Sequence, residues 1–176
     1  MKETITATDR VYEGRVVTLD IHNVTLPDGN TSVREVVQHP GAVAVVALDA
    51  DQNVLLVRQY RIAADEVLLE IPAGTLNTGE DPQLCADREL QEETGFRAAS
   101  FQAMGGIYTA PGYTSEYIHL FLATELSASV LPMDDDEFIE IETMPLWQAL
   151  ARIESGDIRD GKSVAGLLRA ARILGV

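Results

Sequence analysis

The apolar positions of this chain fall into short runs of strand length and a few stripes of helix period. Ala42–Leu48 is apolar without interruption, the pattern of a strand buried on both faces. The polar stretch 49–53 turns it into a second strand over 54–60, and a third over 67–71 ends at Pro72. Residues 15–24 alternate loosely and are rich in β-branched side chains, which predicts a strand. Leu26-Pro27-Asp28-Gly29-Asn30 is turn chemistry: proline presets φ and glycine supplies φ > 0. Thr31–Gln38 returns as a second strand, so 10–38 reads as a β-hairpin arm. Residues 82–94 predict a helix, with Pro82 in its first turn and Gly95 as its C-terminal cap. Further strands are expected over 101–108, 116–125 and 139–144, then helices over 145–153 and 164–174. In the last of these Leu167, Leu168, Ala171 and Leu174 form the apolar stripe. Together these elements give an α/β sheet packed between helices.

Composition narrows the class. The 176 residues suffice for one domain with a core plus a small appendage, here an arm at 1–38 and a domain at 39–176. No apolar run approaches the ~20 residues of a bilayer span, and the N-terminus lacks the apolar stretch of a secretory signal. The one cysteine, Cys85, cannot form an internal disulfide, which fits a reducing, cytoplasmic setting. The net charge of −15 disfavours nucleic acid, whose binding needs Lys and Arg against phosphates. A small anionic ligand remains compatible if local cations reverse the field in its cleft.

The chemistry is concentrated at 74–96. Glu89, Glu92 and Glu93 stand at i, i+3 and i+4, on one face of the expected helix. Like charges so arranged weaken a helix unless a cation neutralises them. Carboxylate oxygens select a hard ion, Mg²⁺ or Mn²⁺, over zinc. A Glu-Glu pair alone is most often a solvated face. Here it comes with Gly74, Glu80, Arg88 and Gly95 at fixed offsets.

Those residues, with Leu90 and Phe96 at the apolar positions, resemble the Nudix box at all nine constrained positions. The flanking Val57-Arg58-Gln59-Tyr60-Arg61 and Leu69-Glu70-Ile71-Pro72-Ala73-Gly74 look like the strands before the box in ADP-ribose pyrophosphatases. Pro111, 16 residues past Gly95, resembles the same subgroup, as does the acidic stretch at 135–140. The resemblance implies a Nudix-type α/β/α sandwich with a mixed sheet, covering roughly residues 34–155. It implies hydrolysis of nucleoside diphosphates linked to another moiety, with Mg²⁺ as cofactor and ADP-ribose, cleaved to AMP and ribose 5-phosphate, as substrate. Two alternatives stay open: a broader nucleoside diphosphate sugar hydrolase taking GDP-mannose or ADP-glucose, and a catalytically silent module that senses ADP-ribose.

By the same resemblance Glu89, Glu93, Glu92 and the carbonyl of Ala73 are the expected metal ligands. Arg88 is expected to fix the rotamer of a box glutamate rather than touch substrate, with Glu80 in the same network. Glu137 is the expected general base and Asp135 its rival. Arg34 and Arg61 match positions that bind the diphosphate or terminal ribose, with Arg58 as runner-up. Glu70 and Glu116 are candidates for ribose hydroxyls. His22, His39 and His119 have no metal spacing and read as structural, and Trp147 reads as core. The arm carries Val16, Val17, Leu19, Ile21, Val24, Val33, Val36 and Val37, more apolar surface than two strands bury. Related enzymes exchange this arm, so a homodimer is expected.

Overall fold

The alternation inside Ala42–Leu48 splits the core into two layers. Ala42, Ala44, Val46 and Leu48 pack in one cluster with Leu56, Ile71, Leu120, Leu146, Ala149 and Leu167. Val43, Val45 and Ala47 pack in the other, with Leu55, Phe121, Cys85, Ala86 and Leu90. Successive side chains on a strand point to opposite faces, so this one strand serves both layers and is buried throughout, as its composition predicted.

The architecture comes from a computed structural model, which describes residues 1–132 and 138–176. The elements run β1 (Thr4–Glu13), β2 (Thr18–Thr25), β3 (Thr31–Gln38), β4 (Ala42–Leu48), β5 (Asn53–Arg61), β6 (Glu66–Glu70), β7 (Ala73–Thr75), α1 (Pro82–Thr94), β8 (Phe96–Tyr108), β9 (Tyr117–Ala128), β10 (Ile139–Pro145), α2 (Leu146–Ser155) and α3 (Gly161–Leu174). They form two compact units.

The smaller unit, residues 1–41 with 108–117, holds the antiparallel sheet β1-β2-β3. The expected two-strand hairpin is β2–β3, in register from Thr18↔Gln38 to Thr25↔Thr31. β1 adds a third strand that sequence reading left out. Every residue of β1 is exposed, so it carries no buried-face alternation to announce it. Its strand character rests on pairing with β2, broken by irregularities at Ile5/Ala7 and Arg10/Tyr12.

The larger unit, residues 42–107 with 118–176, is built on a mixed sheet of order β10-β5-β4-β9-β8, with β6 on β5 and β7 on β4. β4 and β9 are parallel, and the β4–β5, β5–β6 and β5–β10 pairs are antiparallel. The core clusters place α1 on one face and α2 with α3 on the other. This is the expected α/β sandwich.

Three local expectations are corrected. Trp147, read as core, is 67% exposed on α2. The α3 stripe is Ser163, Gly166, Leu167, Ala170 and Ala171, while Leu168 and Leu174 are exposed. Gly166 is the reason the helix sits so close: a Cβ there would lie 2.8 Å from Ile71 Cδ1. Finally, α3 begins at Gly161 rather than 164, because Asp160 caps it by accepting from Ser163 N.

Candidate functional site

Residues 70–93 supply the chemistry, and the fold fixes them at both ends. α1 starts where Asp81 accepts from Gln83 N and Leu84 N, with Pro82 in the first turn. It stops at Gly95, whose φ of 72° closes the αL cap onto Gln91 O. Cys85, Ala86 and Leu90 bury the inner face. β7 meets β4 through Ala44↔Ala73 and Val43↔Gly74, which brings the backbone of 73–75 against α1. Gly74 permits that approach: a Cβ would lie 1.9 Å from the carboxyl carbon of Glu89.

The carboxylates are not a solvated face. Glu89 and Glu93 are 9% and 4% exposed. Ala73 N–H donates to Glu93 Oε2 at 3.1 Å, so the strand that follows Pro72 is tied to α1. Arg88 holds the other glutamates. Its Nη1 donates to Glu89 Oε1 at 2.7 Å and to Glu92 Oε2 at 2.9 Å. Its Nε and Nη2 fork onto Glu80, at 3.0 and 3.1 Å. Glu80 also accepts from Asn77 N. The guanidinium's hydrogen bonds hold the Glu80 carboxyl down to about 2 and raise Arg88 further above its ordinary value. Cys85 lies beneath, 3.3 Å from Arg88 Nη2, and burial pushes its thiol up to about 12 although Arg88 opposes this.

Among the described residues no group of three His, Cys, Asp or Glu is closed around a metal position. The donor chemistry nevertheless fits a hard dication: Glu89, Glu92 and Glu93 offer only carboxylate oxygens, and Gly74 leaves Glu89 a cradle that any side chain would fill.

A second charged cluster adjoins the first in the chain. Glu70, 1% exposed, accepts from Arg61 Nε at 3.0 Å on one oxygen and from Nη2 at 2.7 Å on the other. Lys162 Nζ also donates to Glu70 Oε2 and to Asp160 Oδ2. Ser163 Oγ accepts from Ile71 N at 2.8 Å and donates to Asp160. Glu93 and Asp160 both act electrostatically on Arg61. Sequence reading named Arg61 and Glu70 but missed Lys162, Asp160 and Ser163. The available signal was Asp160 before Gly-Lys-Ser, a capping residue at the head of an apolar stripe.

The other expected residues have partners of their own or lie outside the described residues. Arg58 pairs with Glu142 at 2.6 Å, and lines a cleft with Val67, Leu69, Arg152 and Arg159. Arg34 belongs to the smaller unit, where it donates to Glu3, Ser32 and the Val33 carbonyl. Glu116, in the same unit, accepts from Thr109 Oγ1 and lies 3.8 Å from His39 Nε2. Glu137 and Asp135 lie outside the described residues. Among the described residues no helix is long and apolar enough to cross a membrane.

Comparison with known proteins bears on the family and the fold. The NUDIX domain profile matches residues 38–166. An ADP-ribose pyrophosphatase of Bacillus subtilis (strain 168) is 40% identical over 93% of this chain and 89% of its own. A methanol dehydrogenase activator of Bacillus methanolicus is 41% identical over the same shares. A GDP-mannose pyrophosphatase of Cronobacter sakazakii is 35% identical over 88% of this chain and 86% of its own. The solved structure of an ADP compounds hydrolase superposes with a TM-score of 0.88 at 25% identity, covering 99% of this chain and 95% of that one. With the profile spanning most of the chain and the box glutamates gathered on α1, the protein belongs to the Nudix family of pyrophosphohydrolases.

Proposed function

We propose that the protein hydrolyses the diphosphate linkage of ADP-ribose, giving AMP and ribose 5-phosphate, with Mg²⁺ (or Mn²⁺) held by Glu89, Glu92, Glu93 and the Ala73 carbonyl. The observation that carries this reading is the buried pair Glu89 and Glu93 on one turn of α1, with Gly74 admitting the backbone of β7 against them. Bound there, the ion would neutralise diphosphate oxygens and lower the pKa of an attacking water.

The chain's own residues do the rest. Arg88 holds Glu89 and Glu92 in fixed rotamers through one nitrogen while Glu80 anchors its far edge. Arg61 commits two nitrogens to Glu70 yet stays 39% exposed, leaving an edge for a phosphate. Glu137 is the proposed general base, with Asp135 as its rival. Arg34 and Glu116 are proposed as further substrate contacts. Exposed Val11, Tyr12, Val16, Val17 and Val33 on that unit favour burial in a homodimer. The setting is proposed to be the cytoplasm.

ADP-ribose is preferred because of Pro111 and because of the relative of that name. The GDP-mannose pyrophosphatase relative favours the second reading, a broader nucleoside diphosphate sugar hydrolase. A silent sensor has less support, since it would have no use for three intact box glutamates. The test is turnover of ADP-ribose in Mg²⁺, with chelator, and by Glu93→Gln. Chelation should abolish it, and Glu93→Gln should lower kcat by several orders of magnitude in a folded protein. A Glu93→Gln enzyme keeping more than about a tenth of wild-type activity contradicts the assignment, since a lost ligand should cost far more.

A further inference from the structure

We propose that Lys162 is a positioning residue of this site: by sharing the buried carboxylate of Glu70 with Arg61, it leaves the exposed edge of Arg61 cationic enough to bind a diphosphate. The proposal rests on the reading of Arg61 as a diphosphate contact.

The charge count motivates it. Arg61 and Glu70 alone form a closed bidentate pair, a cation whose charge is cancelled by a carboxylate 2.7–3.0 Å away. A cancelled guanidinium attracts a second anion weakly, more so in a chain of net charge −15. Lys162 changes the balance by putting a second cation on Glu70 Oε2. The Lys162 side chain is only 11% exposed, so its charge is poorly screened there. Asp160 accepts from the same ammonium at 2.9 Å and makes the four-residue cluster neutral overall. Asp160 therefore competes with Glu70 for Lys162 and tempers the effect.

The placement is mechanical as well as electrostatic. Lys162 and Ser163 are consecutive residues in the first turn of α3, and they hold the last residue of β6 and the one after it: Lys162 takes the Glu70 carboxylate and Ser163 Oγ takes Ile71 N–H. Two residues on, Ala73 N–H binds Glu93. The head of α3 thus sets where the 70–73 segment lies, and with it the fork that Arg61 rests on.

The test uses the full chain and reads binding without turnover. Inorganic pyrophosphate is titrated calorimetrically in the presence of EDTA, beside kcat and KM for ADP-ribose in Mg²⁺. Lys162→Met should weaken pyrophosphate about tenfold and raise KM similarly, while kcat falls less than about threefold. Lys162→Arg should retain at least about a third of the wild-type affinity. Asp160→Asn keeps a capping side chain and removes the competing charge, so it should bind pyrophosphate about two- to threefold more tightly. A purely structural cluster would instead make Asp160→Asn weaker, together with its melting temperature, and that result overturns the proposal. So does an unchanged affinity and KM in Lys162→Met. If Lys162→Met does not fold, the sign of the Asp160→Asn effect decides alone. Wild type that binds pyrophosphate in a Lys162-dependent way but does not hydrolyse ADP-ribose overturns the substrate reading and leaves the positioning role standing. Wild type that does not bind pyrophosphate at all overturns the positioning role.

Discussion

A Cβ on Gly74 would lie 1.9 Å from the carboxyl carbon of Glu89, so the strand before α1 and the helix carboxylate meet with nothing but hydrogen between them. Gly74→Ala must therefore push Glu89 off its present rotamer or move β7 away from β4. Overpacking of this kind typically costs about 1–3 kcal/mol of stability. The activity loss should be larger, about a hundredfold or more in kcat, because Glu89 is a proposed metal ligand. Thermal unfolding and initial rates on one preparation separate the two effects.

Arg88 is coupled to Glu80 through a two-nitrogen fork that lysine cannot reproduce. Arg88→Lys should therefore behave nearly as Arg88→Met in kcat. A double-mutant cycle of Arg88→Met with Glu80→Gln should give a coupling energy of about 0.5–3 kcal/mol, read from urea unfolding. A cycle that closes to zero would mean the fork contributes nothing.

The same pair fixes a pH dependence. The Glu80 carboxyl is held at about 2, below its ordinary 4.5, chiefly by its hydrogen bonds from Arg88. A carboxyl whose folded pKa is depressed contributes stability that is fully present above its unfolded value and is lost as pH falls toward the folded one. The stability gap between wild type and Glu80→Gln should thus be widest above pH 5 and shrink as pH falls through 4.5 toward 2. Urea midpoints of both proteins from pH 6 to pH 3 check the sign.

Cys85 is buried and its thiol is raised to about 12, so at pH 8 it is protonated as well as covered. Native protein should react with a disulfide reagent far more slowly than protein in denaturant, with one equivalent titrated only on unfolding.

The sequence revealed most where a single physical pattern decided the outcome. Ala42–Leu48 read as a strand buried on both faces and is one, and the capping residues around 82–95 bounded α1 to the residue. The three glutamates stood out through their spacing on one helix face together with Gly74, Glu80, Arg88 and Gly95 at fixed offsets, the pattern on which the resemblance to the Nudix box rests. What stayed hidden depended on partners distant in sequence. β1 has no buried face and becomes a strand only through β2. Trp147 sits on an amphipathic helix where apolar character alone does not distinguish the exposed side. Lys162 was not singled out, since nothing local says that it reaches back to Glu70 across 92 residues of sequence. Arg58 and Arg61 are three residues apart and only the resemblance ranked Arg61 above Arg58; in the fold one pairs with Glu142 and the other with Glu70.

If Glu137 is the general base, Glu137→Gln should lower kcat by about 10²–10⁴ with little change in KM, and Asp135→Asn should do less. Steady-state kinetics of the two variants assign the roles. An inverted order exchanges them.

The most direct test of the account is kcat/KM in Mg²⁺ across ADP-ribose, ADP-glucose, GDP-mannose, a diadenosine polyphosphate and capped RNA, with product detected as phosphatase-sensitive nucleotide. The account predicts the highest value for ADP-ribose, with AMP and ribose 5-phosphate as products. A higher value for any other compound in the panel, or no Mg²⁺-dependent hydrolysis of ADP-ribose, contradicts it.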